Sequence, residues 1–306
     1  MYKIISDKAC DWSFEYAAKH DVSLVSLYVT FDGKTSLKEG QEISREAFYK
    51  KMIEEGLFPK TSMPGVPDFY SAMEEPVKEG REVIVLTISS SLSASLQSAN
   101  LAKDMILEEY PDAKISVIDT KQDATSQSLM LYEAVRMRDS GIDFETSANV
   151  LLEMADNAGI IFTMDSLEYL HKGGRIGKLA SVIGGKLNLN ALIIFKNGKI
   201  KIGGICRTRS KAKDKIIASI EKLFDSKKIN TSDYIFNVES GFNFDERDAF
   251  REVIKEKFSF TCQEDKDPAF EPVVGAVTAC HTGPYTLGFG YIPRFEACLA
   301  ALNKAA

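Results

Sequence analysis

Val83-Ile84-Val85-Leu86-Thr87-Ile88-Ser89-Ser90-Ser91-Leu92-Ser93-Ala94-Ser95-Leu96 is the stretch that decides the fold class of this chain. A short apolar, β-branched run of this kind reads as a strand buried on both faces. After the hydroxyl-rich turn, Leu92, Leu96, Ala99, Ala102 and Ile106 recur every three or four residues, the buried stripe of a helix. Strand, serine-rich turn, helix is the repeating unit of a parallel sheet wrapped by helices. Working outward, residues 2–6, 24–30 and 115–118 read as further strands, and Leu129 to Met137 as a helix halted at Ser140-Gly141.

The texture changes near residue 159. Apolar segments now flank tight turns, and Asn197-Gly198 between 192–195 and 199–203 is a two-residue hairpin signal. Strands are expected at 234–238, 273–278 and 287–292, and helices at 211–223 and 244–257. The predicted fold class is therefore α/β: a Rossmann-like parallel-sheet domain over 1–158, then an α+β domain with a largely antiparallel sheet over 159–306. No Pro- or Gly/Ser-rich linker separates the halves, so they are expected to pack closely.

A chain of 306 residues, 44% hydrophobic, can bury a large core. Its 38 basic and 44 acidic side chains leave a net charge of -6, which argues against a nucleic-acid partner. Five scattered cysteines without a Cys-x-x-Cys pair read as reduced thiols of a cytoplasmic protein. No apolar stretch is long enough to span a membrane, and the first residues lack the pattern of a signal peptide.

Four segments hold candidate ligand contacts. The turn 89–95 puts hydroxyls and backbone N–H groups at a strand's carboxyl end, where open α/β sheets bind ligands and a helix start attracts anions; Ser91 or Ser93 as a simple helix cap is the competing reading. Lys60-Thr61-Ser62-Met63-Pro64-Gly65 is a polar turn before a helix expected at 68–73, and would serve equally as a connector. Leu167-Glu168-Tyr169-Leu170-His171-Lys172-Gly173-Gly174-Arg175-Ile176 ends a short helix in two glycines and aims an arginine outward; a C-cap explains one glycine, not both. His281-Thr282-Gly283-Pro284 follows the strand expected from 273, either as a ligand contact or as a structural histidine. Catalytic motifs are missing: there is no Gly-x-Ser-x-Gly elbow, no Gly-x-x-x-x-Gly-Lys-Ser/Thr loop, no Gly-x-Gly-x-x-Gly after the first strand and no metal-ligand spacing.

Taken in order, Ile4-Ile5-Ser6-Asp7 with Ala9-Cys10-Asp11, Thr61-Ser62, Ile88-Ser89-Ser90-x-Leu92-Ser93, Val117-Ile118-Asp119-Thr120, Leu167-x-x-Leu170-x-x-Gly173-Gly174-Arg175-Ile176 and His281-Thr282-Gly283-Pro284 resemble the DegV family over essentially the whole chain. These are fatty-acid-binding proteins that include the acyl-carrying B subunit of bacterial fatty-acid kinase. The resemblance implies one long-chain fatty acid in a tunnel between the domains, no other cofactor and no catalysis by this chain. It places Thr61, Ser62, Ser93 and His281 at the carboxylate and Arg175 at the docking face for the kinase catalytic subunit, which holds the ATP site. Contact with a membrane would be transient. A regulatory or storage lipid binder without a kinase is the alternative, and an esterase pairing Ser93 with His281 a third reading. The sequence departs from the family at Ala94, where a glycine is usual, at Ala124, Ser126 and Ser128, where a serine and two glycines are usual, and at Tyr285. Strain at Ala94 and a repacked loop over 119–128 are the expected consequences.

Overall fold

Alternation within the buried strands organises the first half of the molecule. The computed structural model describes residues 1–175, 189–227, 229–258, 262–263, 265–267 and 269–305; Ile176, the last residue of the Gly-Gly-Arg motif, lies outside them. The first-half elements are β1 (Lys3–Asp7), α1 (Phe14–Lys19), β2 (Val22–Val25), β3 (Tyr28–Thr30), β4 (Leu37–Lys38), α2 (Arg45–Glu54), β5 (Lys60–Ser62), α3 (Val66–Lys78), β6 (Val83–Thr87), α4 (Ser95–Glu109), β7 (Ile115–Asp119), α5 (Ala124–Asp139) and α6 (Phe144–Asn157). There follow β8 (Gly159–Met164), α7 (Glu168–Lys172), β9 (Asn190–Lys196), β10 (Lys199–Cys206), α8 (Arg209–Lys227), β11 (Tyr234–Ser240), α9 (Phe244–Phe258), α10 (Ala276–Thr282), β12 (Leu287–Pro293) and α11 (Phe295–Ala305).

The first sheet has the order β2-β1-β6-β7, with every pair parallel. Ile5, Val83 and Val85 point to one face, against Phe69 and Met73 of α3 and Ala99, Ala102 and Ile106 of α4. Ile4, Ile84 and Leu86 point to the other, toward α5 and α6, as a period of two requires. The second sheet, β10-β9-β8-β12-β11, is antiparallel throughout. Ile161, Phe236, Val238 and Phe289 cover its face toward α8 and α9. Asn197 and Gly198 both take positive φ, 51° and 66°, the turn geometry that lets two residues close the β9–β10 hairpin. Helix α5 lies between the sheets, touching β1 on one side and β11 and β12 on the other. The α/β class and the parallel-then-antiparallel division thus agree with the sequence expectation.

Several expected elements are corrected. Residues 24–30 are two strands rather than one: β2 belongs to the parallel sheet, while β3 pairs with β4 and β5 in a small antiparallel sheet. Thr61 and Ser62 stand on β5, opposite Val29 and Tyr28, and not in a turn. Residues 273–278 make one isolated bridge, Val273 to Ser240, and then coil into α10. The helix wins because the carboxylate of Glu39 accepts from the amides of Ala276 at 2.6 Å and Val277 at 3.3 Å, satisfying orphan donors that no nearby side chain reaches. Ala94 sits at φ -86°, where alanine is unstrained, and the positive φ falls on Ala124, at 46°. From Ala124 onward the supposed loop is the first turn of α5. Helices α1, α2, α6 and α11 and the strand β8 have no counterpart in the sequence expectation.

Candidate functional site

The direction of the chain in the first sheet reverses between β1 and β6, because β1 continues to β2 on one side while β6 continues to β7 on the other. The carboxyl ends of β1 and β6 therefore open a crevice at a topological switch point, where ligands of open α/β sheets bind. Asp7, ending β1, ties the crevice together: its carboxylate accepts from the amide of Ile88 at 2.9 Å and from Gln127 Nε2 of α5 at 2.8 Å. Burial pushes the Asp7 carboxyl up to about 6, against those bonds.

Above this crevice lies a cavity of about 410 Å³, within the range of small-molecule sites. The second sheet supplies its apolar wall: Ile160, Phe162, Phe195, Ile200 and Gly288 lie on the face opposite to the α8–α9 core. Leu27, Ile88, Leu170, Val274 and Val277 extend it. The polar part gathers every residue singled out from the sequence. Thr61, Ser62, Ser93, Arg175 and His281 all line this one cavity, although they come from four separate segments.

Thr61 Oγ1 and His281 Nε2 are 2.9 Å apart, while the other ring nitrogen, Nδ1, has no hydrogen-bond partner among the described residues. His281 occupies the last turn of α10 rather than the end of a strand. Burial, and then the neighbouring Arg175 charge, push its pKa down to about 4, so the imidazole is neutral at pH 7. Gly173 makes room for this ring: a β-carbon there would stand 2.1 Å from His281 Nδ1. That close approach is what the first of the paired glycines serves, and Gly174, with φ 70°, makes the turn that follows.

Arg175 does not point outward. Its Nε and Nη2 both donate to the carbonyl of Leu92 at 3.2 Å and its Nη1 to the carbonyl of Gly173 at 2.7 Å. The guanidinium thereby fastens the serine-rich turn to the segment after α7. Within that turn the hydroxyls hold one another: Ser89 with Ser91 at 3.0 Å, Ser93 with Ser95 at 2.9 Å, and Ser90 with Asp119. The cap position of α4 is Ala94, whose side chain can accept no bond; the Ser93 hydroxyl accepts from the Ser95 amide at 3.3 Å, and this helix start lies beside the cavity. Such a helix start favours an anion. Ser126 and Ser128 meanwhile have structural work, Ser126 donating to the Gly159 carbonyl at 2.8 Å and Ser128 accepting from Trp12 Nε1 at 2.8 Å.

Sequence reasoning missed a second polar group in the same cavity, formed by Asp123, Thr125, Glu239 and Thr278. Asp123 carried a local signal as the cap of α5, its carboxylate accepting from the Ala124 amide at 2.9 Å. Glu239 and Thr278 carried none, because only the tertiary fold brings them to the cavity. Among the described residues no group of three or more His, Cys, Asp or Glu side chains is placed to hold a metal ion, and no helix is long and apolar enough to cross a membrane.

Known proteins share this fold over nearly the whole chain. A DegV domain-containing protein of Clostridium acetobutylicum is 32% identical over 290 residues, covering 94% of this chain and 96% of the relative. The crystal structure of a stearic acid-binding protein from Eubacterium ventriosum superimposes with a TM-score of 0.90 at 40% identity, over 97% of this chain and 99% of that one. A fatty-acid-binding DegV family protein from Thermus thermophilus matches with a TM-score of 0.82 at 27% identity, over 95% and 99% of the two chains. The model of the DegV family, described as uncharacterised proteins, matches residues 1–294, and the chain belongs to that family.

Proposed function

We propose that this protein binds one long-chain fatty acid, its tail along the second sheet and its carboxylate among Thr61, Ser62, Ser93 and His281. The observation that carries this reading is the pairing, in one cavity, of an apolar sheet face with a mouth of hydroxyls and a neutral imidazole. A tail of about fifteen methylenes at about 0.8 kcal/mol each gives a gross gain of about 12 kcal/mol, ample against the cost of association. An isolated carboxylate is expensive to bury unless several donors surround it. Three hydroxyls, the start of α4 and His281 supply donors without a strong ion pair, so the carboxylate stays reactive. The stearic acid bound by the Eubacterium ventriosum protein at 40% identity supports the same ligand class.

The finer part of the proposal is that the bound acid is presented to a fatty-acid kinase, which phosphorylates the carboxylate to an acyl-phosphate, with Arg175 at the docking face. Boundaries at 1–158 and 159–306 divide the labour: the first part supplies the hydroxyl-bearing turns and the second closes over the tail. Solvent extraction of freshly purified protein, followed by chromatography, is expected to yield about one fatty acid per chain, and an empty extract with no uptake of added acid would overturn the binding reading. Acyl-phosphate formed only when kinase, ATP and loaded protein are combined supports presentation; lipid binding without it favours a storage or regulatory binder, consistent with the changed residues at Ala124, Ser126, Ser128 and Tyr285. Turnover of acyl esters that disappears in Ser93→Ala would instead reveal an esterase.

A further inference from the structure

Four carboxyl groups converge beside the cavity, where the two sheets meet. Asp11 follows β1 of the parallel sheet, Glu39 follows β4, Asp123 caps α5, and Glu239 stands on β11 of the antiparallel sheet. Asp11 and Glu239 are each 2% exposed. A β-carbon on Gly275 would stand 2.4 Å from Asp11 Oδ1 and 2.5 Å from Glu39 Oε1, so those two oxygens crowd one spot. The nearby cations meet other oxygens: Lys8 Nζ is 3.9 Å from Glu39 Oε1, while Arg45 donates Nη2 to the Asp11 main-chain carbonyl and sets Nη1 3.5 Å from Glu271. Among the described residues no N–H or hydroxyl group donates to either carboxylate oxygen of Asp11. Its carboxyl bonds instead to that of Glu239, and two acceptor-only carboxylates make such a bond only with a proton between them.

The groups around this pair also hold α10. Glu39 accepts from the first amides of that helix, Asp123 accepts from its Thr278 Oγ1 at 3.1 Å, and the Ser240 carbonyl, next to Glu239, accepts from the Val274 amide just before it at 2.9 Å. Helix α10 in turn carries His281 to Thr61. We propose that Asp11 and Glu239 are a proton-operated latch between the two sheets: sharing one proton they hold β11 and α10 closed on the bound acid, and losing it they repel and speed its release. This rests on the fatty-acid reading above and adds the control of that site. Asp123 and Glu39 face the pair with further negative charge, which Lys8 and Arg45 offset in part, while the Cys10 thiol and the Tyr49 hydroxyl, pushed up by burial, stay neutral. Burial, and then its partner's charge, raise Asp11 well above the ordinary carboxylate range, and burial raises Glu239 to about 7. A raised carboxyl keeps its proton in mild acid and gives it up as pH rises, so the latch is closed in mild acid and opens in the alkaline range.

The test loads the full-length protein with a fluorescent fatty acid, cis-parinaric acid, and follows its transfer to excess serum albumin by stopped flow between pH 6 and pH 9. Release from the wild-type protein is expected to be about tenfold faster at pH 9 than at pH 6, one decade in the equilibrium between closed and open forms. Asparagine tolerates the left-handed backbone that Asp11 holds at φ 62°, and its amide donates to Glu239 without a titrating proton. In Asp11→Asn the ratio of the two rates is therefore expected to fall to about one. Should that variant not fold, Glu239→Gln is read in its place. Equal wild-type rates at pH 6 and pH 9 would overturn the inference while leaving fatty-acid binding intact. So would a rise that persists undiminished in whichever substitution folds, since the acid's own carboxylate or another group would then be titrating. Failure to take up the acid at any pH would remove the parent reading and this one together.

Discussion

At the level of single residues, the site depends on a few side chains that do different work. On the proposed function the Ser93 hydroxyl, bonded here to Ser95, turns to the carboxylate, so Ser93→Ala is expected to weaken fatty-acid binding by about 1–3 kcal/mol with the fold intact. Calorimetry on delipidated protein measures this, and unchanged affinity would remove Ser93 from the carboxylate. Gly173 acts through His281. Because a β-carbon would stand 2.1 Å from His281 Nδ1, Gly173→Ala must push the ring away from Thr61. Lipid retention is expected to fall at least as far as in Ser93→Ala, with a crystal structure of the variant showing the Thr61–His281 contact lengthened. Arg175 is the residue whose proposed role in docking and whose place in the fold overlap, since its guanidinium bonds to the carbonyls of Leu92 and Gly173. Arg175→Lys keeps the charge but loses the paired hydrogen bonds to the Leu92 carbonyl, so it separates the two roles: docking that follows charge survives it, and docking that follows the shape of the turn does not.

Among the elements, α10 shows how long-range contacts override local pattern. Val273, Val274 and Val277 suggest a strand, yet the chain coils because Glu39, more than two hundred residues earlier, accepts from its first amides. Glu39→Ala is expected to destabilise the protein by about 1–3 kcal/mol, the cost of leaving buried amides unbonded, and to loosen His281 at the far end of the helix. Chemical denaturation gives the first effect and lipid affinity the second. The same logic explains what was legible. The run from Val83 to Ser95 announces its strand and helix because both patterns are local, and so does the Asn197-Gly198 hairpin. The small β4-β3-β5 sheet escaped notice since its strands are two or three residues long. The reading of α5 as a loop at its start failed for another reason: it rested on the departures from the family's serine and glycines, whereas Ser126, Gln127 and Ser128 are buried between two sheets and bonded there.

For the whole molecule, burying carboxyl groups around the crevice gives stability a particular pH dependence. Asp7 is raised to about 6 and Asp123 and Glu239 to about 7, from ordinary values near 4, in each case mainly by burial. Between those limits the folded state holds protons that the unfolded chain has lost, so these groups favour folding at acid pH and that advantage disappears as pH rises toward 7. His281 opposes them: with its pKa lowered to about 4, the unfolded chain takes up a proton as pH falls below about 6.5 and the native state does not. Three carboxyls outweigh one imidazole. Thermal unfolding is accordingly expected at higher temperature at pH 5 than at pH 8, and Asp123→Asn is expected to flatten the difference; a melting temperature that rises from pH 5 to pH 8 would contradict this account. At this scale the two-sheet architecture and the five candidate residues were readable from ordered motifs, whereas the polar wall of the cavity was not, because Glu239 reaches it from β11 and Thr278 from α10.

The central claim is that an aliphatic tail replaces water in this cavity while the surrounding groups solvate its carboxylate. Titration calorimetry of palmitic or oleic acid into the delipidated protein, at several temperatures, tests it most directly. One site per chain with a binding enthalpy that becomes more negative on warming is the predicted signature of buried apolar surface. No heat at any temperature, together with no acid recovered from the protein, would contradict it.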